Sequence, residues 1–209
     1  MDTPTRLYLI RHGQVANFLD ETYNGHKDVD ITAHGVRQME AVADRLSDET
    51  LAGVYCSDLI RTRRGADIIA PRHGLVPHAR PALRELDVNL WEGLDADGVE
   101  ERFPGAFDAW MAQGADYRIP GGESLRDLAE RVIPALRGIL GAHEGENIAL
   151  VAHGVVNRVI LADAMGMGLD LNRLYSIEQD YGCMNIIDYL PDYAVVKLVN
   201  RQLLDEKQF

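Results

Sequence analysis

Arg11-His12-Gly13 and His153-Gly154 each follow a short apolar run, Leu7-Tyr8-Leu9-Ile10 in the first case and Ile148-Ala149-Leu150-Val151-Ala152 in the second. Such a run reads as a strand buried on both faces, and open α/β sheets bind ligands beyond the carboxyl ends of these strands. Both histidines therefore fall where chemistry is expected. Gly13 and Gly154 suit tight turns that bring backbone N–H groups close to bound oxygens. Arg61 follows Ser57-Asp58 in the first turn of a helical stretch, where a cation opposes the helix dipole unless an anion docks beside it. Gathered around one point, Arg11, His12, Arg61 and His153 form a pocket with two permanent cations and two imidazoles. Its natural guest is a phosphoryl group, because guanidinium forks match phosphate oxygens in a bidentate way. The neighbouring arginines disfavour protonation of an imidazole, so one histidine is expected to be neutral and to attack phosphorus. The other, with the arginines, stabilises charge on the equatorial oxygens. An alkoxide leaving group needs a proton, and a carboxyl beside a phosphate dianion retains one more readily than in water. Glu85 is the candidate, first as acid and then as the base that activates water. The scheme requires no metal and no cofactor.

The elements that must hold these residues follow from pattern. Thr32 caps a helix to about Leu46, with Val36, Met39, Ala43 and Leu46 at helical spacing. The strand Gly53 to Cys56 leads into Ser57-Asp58, which are read as the cap of a helix through Ile69. Leu83 to Gly93 reads as loop with a short extended piece. Residues 95–120, punctuated by Gly and Pro, are expected to form short helices capping the site, with Phe103, Phe107 and Trp110 as cap core or, less simply, a substrate platform. Ser124-Leu125-Arg126-Asp127 is a capping-box variant, opening a helix that Pro134 should kink. The helix after His153 stops at Gly166, and a Pro191-Asp192 turn closes a terminal hairpin. Strands alternating with helices predict a three-layer α/β/α sandwich with a mostly parallel sheet that the hairpin makes mixed. A single domain over residues 1–209 is expected, with 95–120 as a cap-like insertion.

The formal net charge of −12 and pI near 4.9 argue against a general nucleic-acid binder, which needs a basic footprint. An anionic substrate must then be drawn by a local cluster of cations. Cys56 and Cys183 have neither metal-ligand nor disulfide spacing and read as buried free thiols. Met1 to Arg6 lacks the pattern of a secretory leader, and no apolar run reaches the roughly 18 residues of a membrane span. A cytoplasmic location without membrane attachment is the expectation. His26 and Lys27 read as solvated loop residues, and His34, His73, His78 and His143 as surface residues.

Leu9-Ile10-Arg11-His12-Gly13, Ser57-Asp58-Leu59-Ile60-Arg61, Leu83-Arg84-Glu85 with Trp91-Glu92-Gly93, Gly122-Glu123-Ser124 and Ala152-His153-Gly154 together resemble the histidine phosphatase superfamily, whose members are also called phosphoglycerate-mutase-like. The match runs nearly the whole chain in the family's order. The resemblance implies an α/β/α sandwich, a phosphohistidine on His12, a phosphate pocket of Arg11, Arg61 and His153, and Glu85 as proton donor. It extends substrate contact to Gly13, Asn17, Asn24, Ser124 and Gly154. Phe18 stands where the family has a phosphate-contacting Asn, with Asn17 one position early, and Val15 lacks the family's hydroxyl. These departures bear on substrate fit rather than on the pocket residues. The short span between Trp91-Glu92-Gly93 and Gly122-Glu123-Ser124 is similar to the small phosphatases acting on alpha-ribazole phosphate or sugar phosphates. A cofactor-dependent phosphoglycerate mutase and a catalytically inactive binding or regulatory member are the alternatives within the family. Outside it, the rival is a metal site formed by the two histidines with Asp or Glu. Closely spaced ligands are missing and Arg11 beside His12 would repel a cation. The partner implied is a small phosphorylated metabolite, and the terminal hairpin offers an edge for a homodimer.

Overall fold

Leu7 and Leu9 alternate with Tyr8 and Ile10, and both sets are buried, in two separate apolar clusters. In the computed structural model, which describes residues 3–204, this segment is strand β1 (Thr5–Arg11). The remaining strands are β2 (Gly53–Cys56), β3 (His78–Ala79), β4 (Asn147–Ala152), β5 (Met184–Tyr189) and β6 (Ala194–Arg201). They form one six-stranded sheet in the order β3-β2-β4-β1-β5-β6. Pairs among β3, β2, β4 and β1 are parallel, whereas β1–β5 and β5–β6 are antiparallel. The mixed sheet is thus the expected parallel core with the terminal hairpin added at one edge.

Helices cover both faces. Helix α1 (Ala33–Leu46) and α2 (Ile60–Ile69) bury Met39, Val42, Ala43, Ala66 and Ile69 against Tyr8, Ile10, Ala149 and Val151. Two short helices in the 95–120 stretch, α3 (Ala96–Arg102) and α4 (Ala106–Gln113), join the opposite face with α5 (Leu125–Gly141) and α6 (Gly154–Ala164), packing with Leu7, Leu9, Ile148 and Leu150. Thr32 accepts the N–H of Gly35, and Ser124 with Asp127 forms a reciprocal capping box, each cap contributing about 1 kcal/mol. Helix α5 runs on through Pro134, which lies on its exposed side. Gly166, with φ +64°, follows the C-cap of α6.

Three local expectations are corrected. Ser57 and Asp58 do not cap α2: Leu59 is its N-cap residue, and Ile60 N–H is satisfied by Asp28 from a distant loop at 2.7 Å. The stretch from Leu83 to Gly93 holds 3₁₀ turns rather than an extended piece, the strand β3 lying just upstream. His143 is no surface residue; its ring joins the Tyr55 hydroxyl (2.8 Å) to Glu146 (2.8 Å). A short helix α7 (Leu171–Tyr175), capped by Asp170, was not anticipated.

Both cysteines are buried free thiols, and burial pushes Cys56 up to about 12 and Cys183 to about 11. Among the described residues no helix is long and apolar enough to cross a membrane. Met1 and Asp2, the start of the segment read for a leader, lie outside the described residues, as do 205–209.

Candidate active site

The register of two neighbouring parallel strands brings the histidines together. Arg11 pairs with Ala152 across β1 and β4, and the His12 N–H donates to the Ala152 carbonyl at 3.1 Å. His12 and His153 therefore leave the sheet side by side, with ring centroids 5.4 Å apart in an edge-to-face arrangement. A cavity of about 280 Å³ opens beyond these strand ends, and Arg11, His12, Arg61, Glu85, Asn24 and Gly154 lie on its wall.

Hydrogen bonds fix the ring protons. His12 Nδ1 lies 2.9 Å from the Gly13 carbonyl, which can only accept, so Nδ1 carries the hydrogen and Nε2 keeps its lone pair. Arg61 Nε donates to His153 Nδ1 at 3.3 Å, so the His153 hydrogen sits on Nε2 and is given to Ser57 Oγ at 2.8 Å. The Ser57 hydroxyl continues to Thr62. His153 is fully buried with both nitrogens engaged, and it lies behind the cavity wall rather than on it. Its observed contacts hold Arg61 in place. Burial is the foremost cause that takes both imidazoles well below their ordinary range, followed by the charges of Arg61 and Arg11 in the case of His12. The sequence supplied only the second of these causes.

Arg61 is buried, and burial lowers its pKa as well. Its guanidinium turns back from α2 to donate to the carbonyls of Gly25 (2.7 Å) and Lys27 (2.8 Å). Gly25 has φ +47°, and a Cβ there would meet Val88 at 2.6 Å, so this turn requires glycine. Arg11 donates to the Gln179 carbonyl and lies 4.0 Å over the Tyr181 ring.

Glu85 is held from two sides. Its carboxylate accepts the N–H groups of Leu86 (2.9 Å) and Val155 (3.1 Å), which makes it a distant cap for the first turn of α6. Its carbonyl accepts from His26 Nε2 (2.9 Å) and Arg131 Nη2 (2.7 Å). Arg131 also grips the carbonyls of Ala82 and Arg84 and both oxygens of Glu123, so Gly122-Glu123-Ser124 acts through this clamp. Arg84 pairs with Asp58 and leaves Glu85 alone. His26 is thus a loop anchor rather than a solvated residue, and Glu92 fixes the same loop through the N–H groups of His26 and Lys27.

The other predicted contacts are placed differently from one another. Asn24 is on the wall; Asn17 spends its amide on Asn24 (2.8 Å) and Thr22 (3.2 Å) and is not on it. Ser124 is committed to its helix cap. Neither Gly13 nor Gly154 has positive φ. A Cβ on Gly13 would sit 2.3 Å from the Gly35 carbonyl oxygen, so that glycine admits the first turn of α1 rather than a ligand. Phe103 and Phe107 pack on the core, whereas Trp110 also lines the cavity.

A family model described as the histidine phosphatase superfamily, branch 1, matches residues 7–202. The chain belongs to that superfamily. This histidine phosphatase is a hydrolase acting on a small phosphorylated metabolite. It is 35% identical over 162 residues to the probable phosphoglycerate mutase GpmB of Klebsiella pneumoniae, an alignment covering 78% of this chain and 75% of that one. Its structure is similar to the alpha-ribazole phosphatase of Shigella flexneri, with TM-score 0.85 and 26% identity over 96% of this chain and 98% of that one. It is also similar to a mycobacterial glucosyl-3-phosphoglycerate phosphatase in complex with VO3, at TM-score 0.84 and 25% identity, covering 94% and 99%.

Several wall residues of this phosphatase escaped sequence reasoning. Tyr181, Arg158, Tyr175 and Tyr23 come from loops or helices without motif grammar. Arg158, one helical turn beyond Gly154, could have been found from its i, i+4 position. Among the described residues no three His, Cys, Asp or Glu side chains converge as a metal-ligating group.

The buried imidazoles set an acid sensitivity. Between their depressed folded-state pKa and the ordinary ~6.5, unfolded chains bind protons at His12 and His153 that the folded protein does not, so stability falls as pH falls. Each imidazole contributes a slope approaching about 1 kcal/mol per pH unit. Urea midpoints are expected to drop between pH 6.5 and 5.5, and less steeply in His12→Asn. A flat profile across that window contradicts neutral burial.

Proposed function

We propose that the cavity hydrolyses phosphomonoesters by passing the phosphoryl group through His12. Nε2 of His12 attacks phosphorus, the N–P bond forms as the ester P–O bond breaks, and Glu85 gives its proton to the departing alkoxide. Water then attacks phosphorus while Glu85 takes its proton, the N–P bond breaks, and inorganic phosphate leaves with His12 restored. Arg11 and Arg61 stabilise the equatorial oxygens. His153 holds Arg61 and, through it, the geometry of the cup. The observation that carries the reading is the Nδ1–H bond from His12 to the Gly13 carbonyl, which leaves an unprotonated nitrogen beside two arginines.

The substrate proposed is alpha-ribazole phosphate or a sugar phosphate. The Shigella protein is named for the first of these. Beyond the cup, Trp110 and Tyr175 lead into a second, largely apolar cleft with Phe107, Met111 and Leu171, roomy enough for an organic leaving group. The name of the Klebsiella relative favours a second reading, phosphoglycerate mutase. A panel of alpha-ribazole phosphate, sugar phosphates and phosphoglycerates, followed for both phosphate release and isomer formation, separates the two. Phosphate release is expected to dominate, and vanadate to inhibit it competitively as a mimic of the five-coordinate phosphorus. Isomer formation in excess of phosphate, or activity indifferent to vanadate, would overturn the hydrolase assignment.

A further inference from the structure

Three amide side chains, Asn157, Gln179 and Asn185, are buried off the cavity wall, and the scheme above gives them no task. Gln179 and Asn185 form a reciprocal pair, each donating to the other's side-chain oxygen at 2.9 Å. Asn185 also donates to the Leu9 carbonyl on β1 (3.0 Å) and accepts the Asn200 N–H (2.8 Å). Both amide hydrogens and both lone pairs of Asn185 are thereby used, so only one orientation of the group fits. The Asn157 amide, on α6, lies 3.0 Å from the Gln179 side-chain oxygen. Asp180 and Asn200 close a second reciprocal pair, the Asp180 N–H donating to Asn200 Oδ1 and Asn200 Nδ2 to Asp180 Oδ2, each at 2.7 Å. The loop that carries residues 179–181 is thus tied to β1, β5, β6 and α6.

That loop holds Arg11. The Gln179 carbonyl accepts from Arg11 Nη1, and the Tyr181 ring lies 4.0 Å from the guanidinium carbon. Both partners are neutral, and among the described residues no carboxylate lies within ion-pair distance of Arg11. A carboxylate would aim the guanidinium equally well but offset the charge that a phosphoryl group needs. A backbone carbonyl leaves that charge whole, provided the carbonyl itself is kept in place. Buried amides add little net stability over apolar side chains of the same shape, yet a fully satisfied network admits a single geometry. We infer that Asn185, through its pair with Gln179, is a positioning residue that fixes the direction of the Arg11 guanidinium for the transferred phosphoryl group. The inference rests on that group occupying the cup beside His12.

Two readouts test it, one on the free protein and one on binding. In ¹⁵N spectra of the ligand-free protein, Arg11, assigned by Arg11→Lys, should show separate Nη signals from slow rotation of a held guanidinium. Those signals should merge in Asn185→Leu, a substitution close in shape. Merged signals in the unaltered protein overturn the inference, as do separate ones that survive the substitution. For binding, Asn185→Leu should weaken vanadate about tenfold, the worth of one charged hydrogen-bonded contact, and inorganic phosphate only about threefold, because aim matters most to the five-coordinate geometry. In an Arg11→Lys background, which keeps the charge but has no fork to aim, the same substitution should change vanadate affinity less than about twofold. Equal weakening in both backgrounds means that Asn185 acts on packing alone, and overturns the inference. Should Asn185→Leu fail to fold by circular dichroism, Gln179→Met carries the same comparisons, since it keeps the backbone carbonyl and the approximate side-chain shape. Failure of vanadate to bind the unaltered protein would instead sink the hydrolase reading and this inference with it, a result distinct from any change in these ratios.

Discussion

His12→Ala is expected to reduce phosphate release by about 10⁵-fold, because it removes the nucleophile and leaves only the binding and electrostatic help of the cup. The fold should survive. The deleted ring is neutral, its one hydrogen bond among the described residues goes to the adjacent Gly13 carbonyl, and Ala152 still receives the backbone N–H of residue 12. Far-UV circular dichroism and the urea midpoint check that point. The decisive measurement is chemical: enzyme quenched in alkali during turnover of a ³²P-labelled ester should carry label on His12, and the alanine variant none. Substantial turnover by the variant, or label on another residue, would sink the assignment. The lowered pKa of His12 adds a sign. Because the free imidazole persists below the ordinary histidine range, the phosphorylation step should keep its rate on the acid side of ~6.5, where an unperturbed histidine would be lost to protonation.

Glu85→Gln should separate substrates by leaving group. Leu86 and Val155 direct their N–H groups at different carboxylate oxygens, so the glutamine side-chain oxygen keeps one of these bonds and its NH2 gives up the other, while His26 and Arg131 bond to the backbone carbonyl of this residue. The variant therefore keeps the backbone clamp on residue 85 and loses one side-chain contact, common to every substrate, together with proton transfer, whose loss depends on the leaving group. An alkyl phosphate needs a proton on its departing oxygen, and its phosphorylation step should slow by about 10²- to 10⁴-fold. A p-nitrophenyl ester leaves as a stable anion, so the first-turnover burst of nitrophenolate should be nearly unchanged. Its steady state should still suffer, since water attacking phosphohistidine lacks a base, and the phosphoenzyme should accumulate. Rapid-quench measurements on the two substrates make the comparison. Equal slowing of the first turnover on both would remove Glu85 from the acid role.

The split between what was legible early and late follows the range of the interactions involved. Strands β1 and β4, the caps Thr32 and Ser124, the stop at Gly166 and the terminal hairpin depend on residues near one another in the chain, and their grammar is local. The paired strand-His-Gly segments belong here too, because a buried strand end fixes where its next residue can lie. By contrast, the cap of α2 comes from Asp28, and the clamp on Glu85 from His26 and Arg131, across separations that no periodicity records. The sequence could name His153 but not its posture: Arg61 and Ser57 claim both ring nitrogens and withdraw it behind the wall.

Residue types and their order along the chain determined the family, the α/β/α layering and the chemistry on offer, since each rests on a short pattern with one dominant physical reading. Tertiary structure alone decided which nitrogen of His12 is free, how Arg61 is spent, and that Arg158, Tyr175 and Tyr181 share the cavity. Those outcomes depend on hydrogen bonds and desolvation among groups far apart in sequence, and burial shifts a proton only once the chain has closed around it.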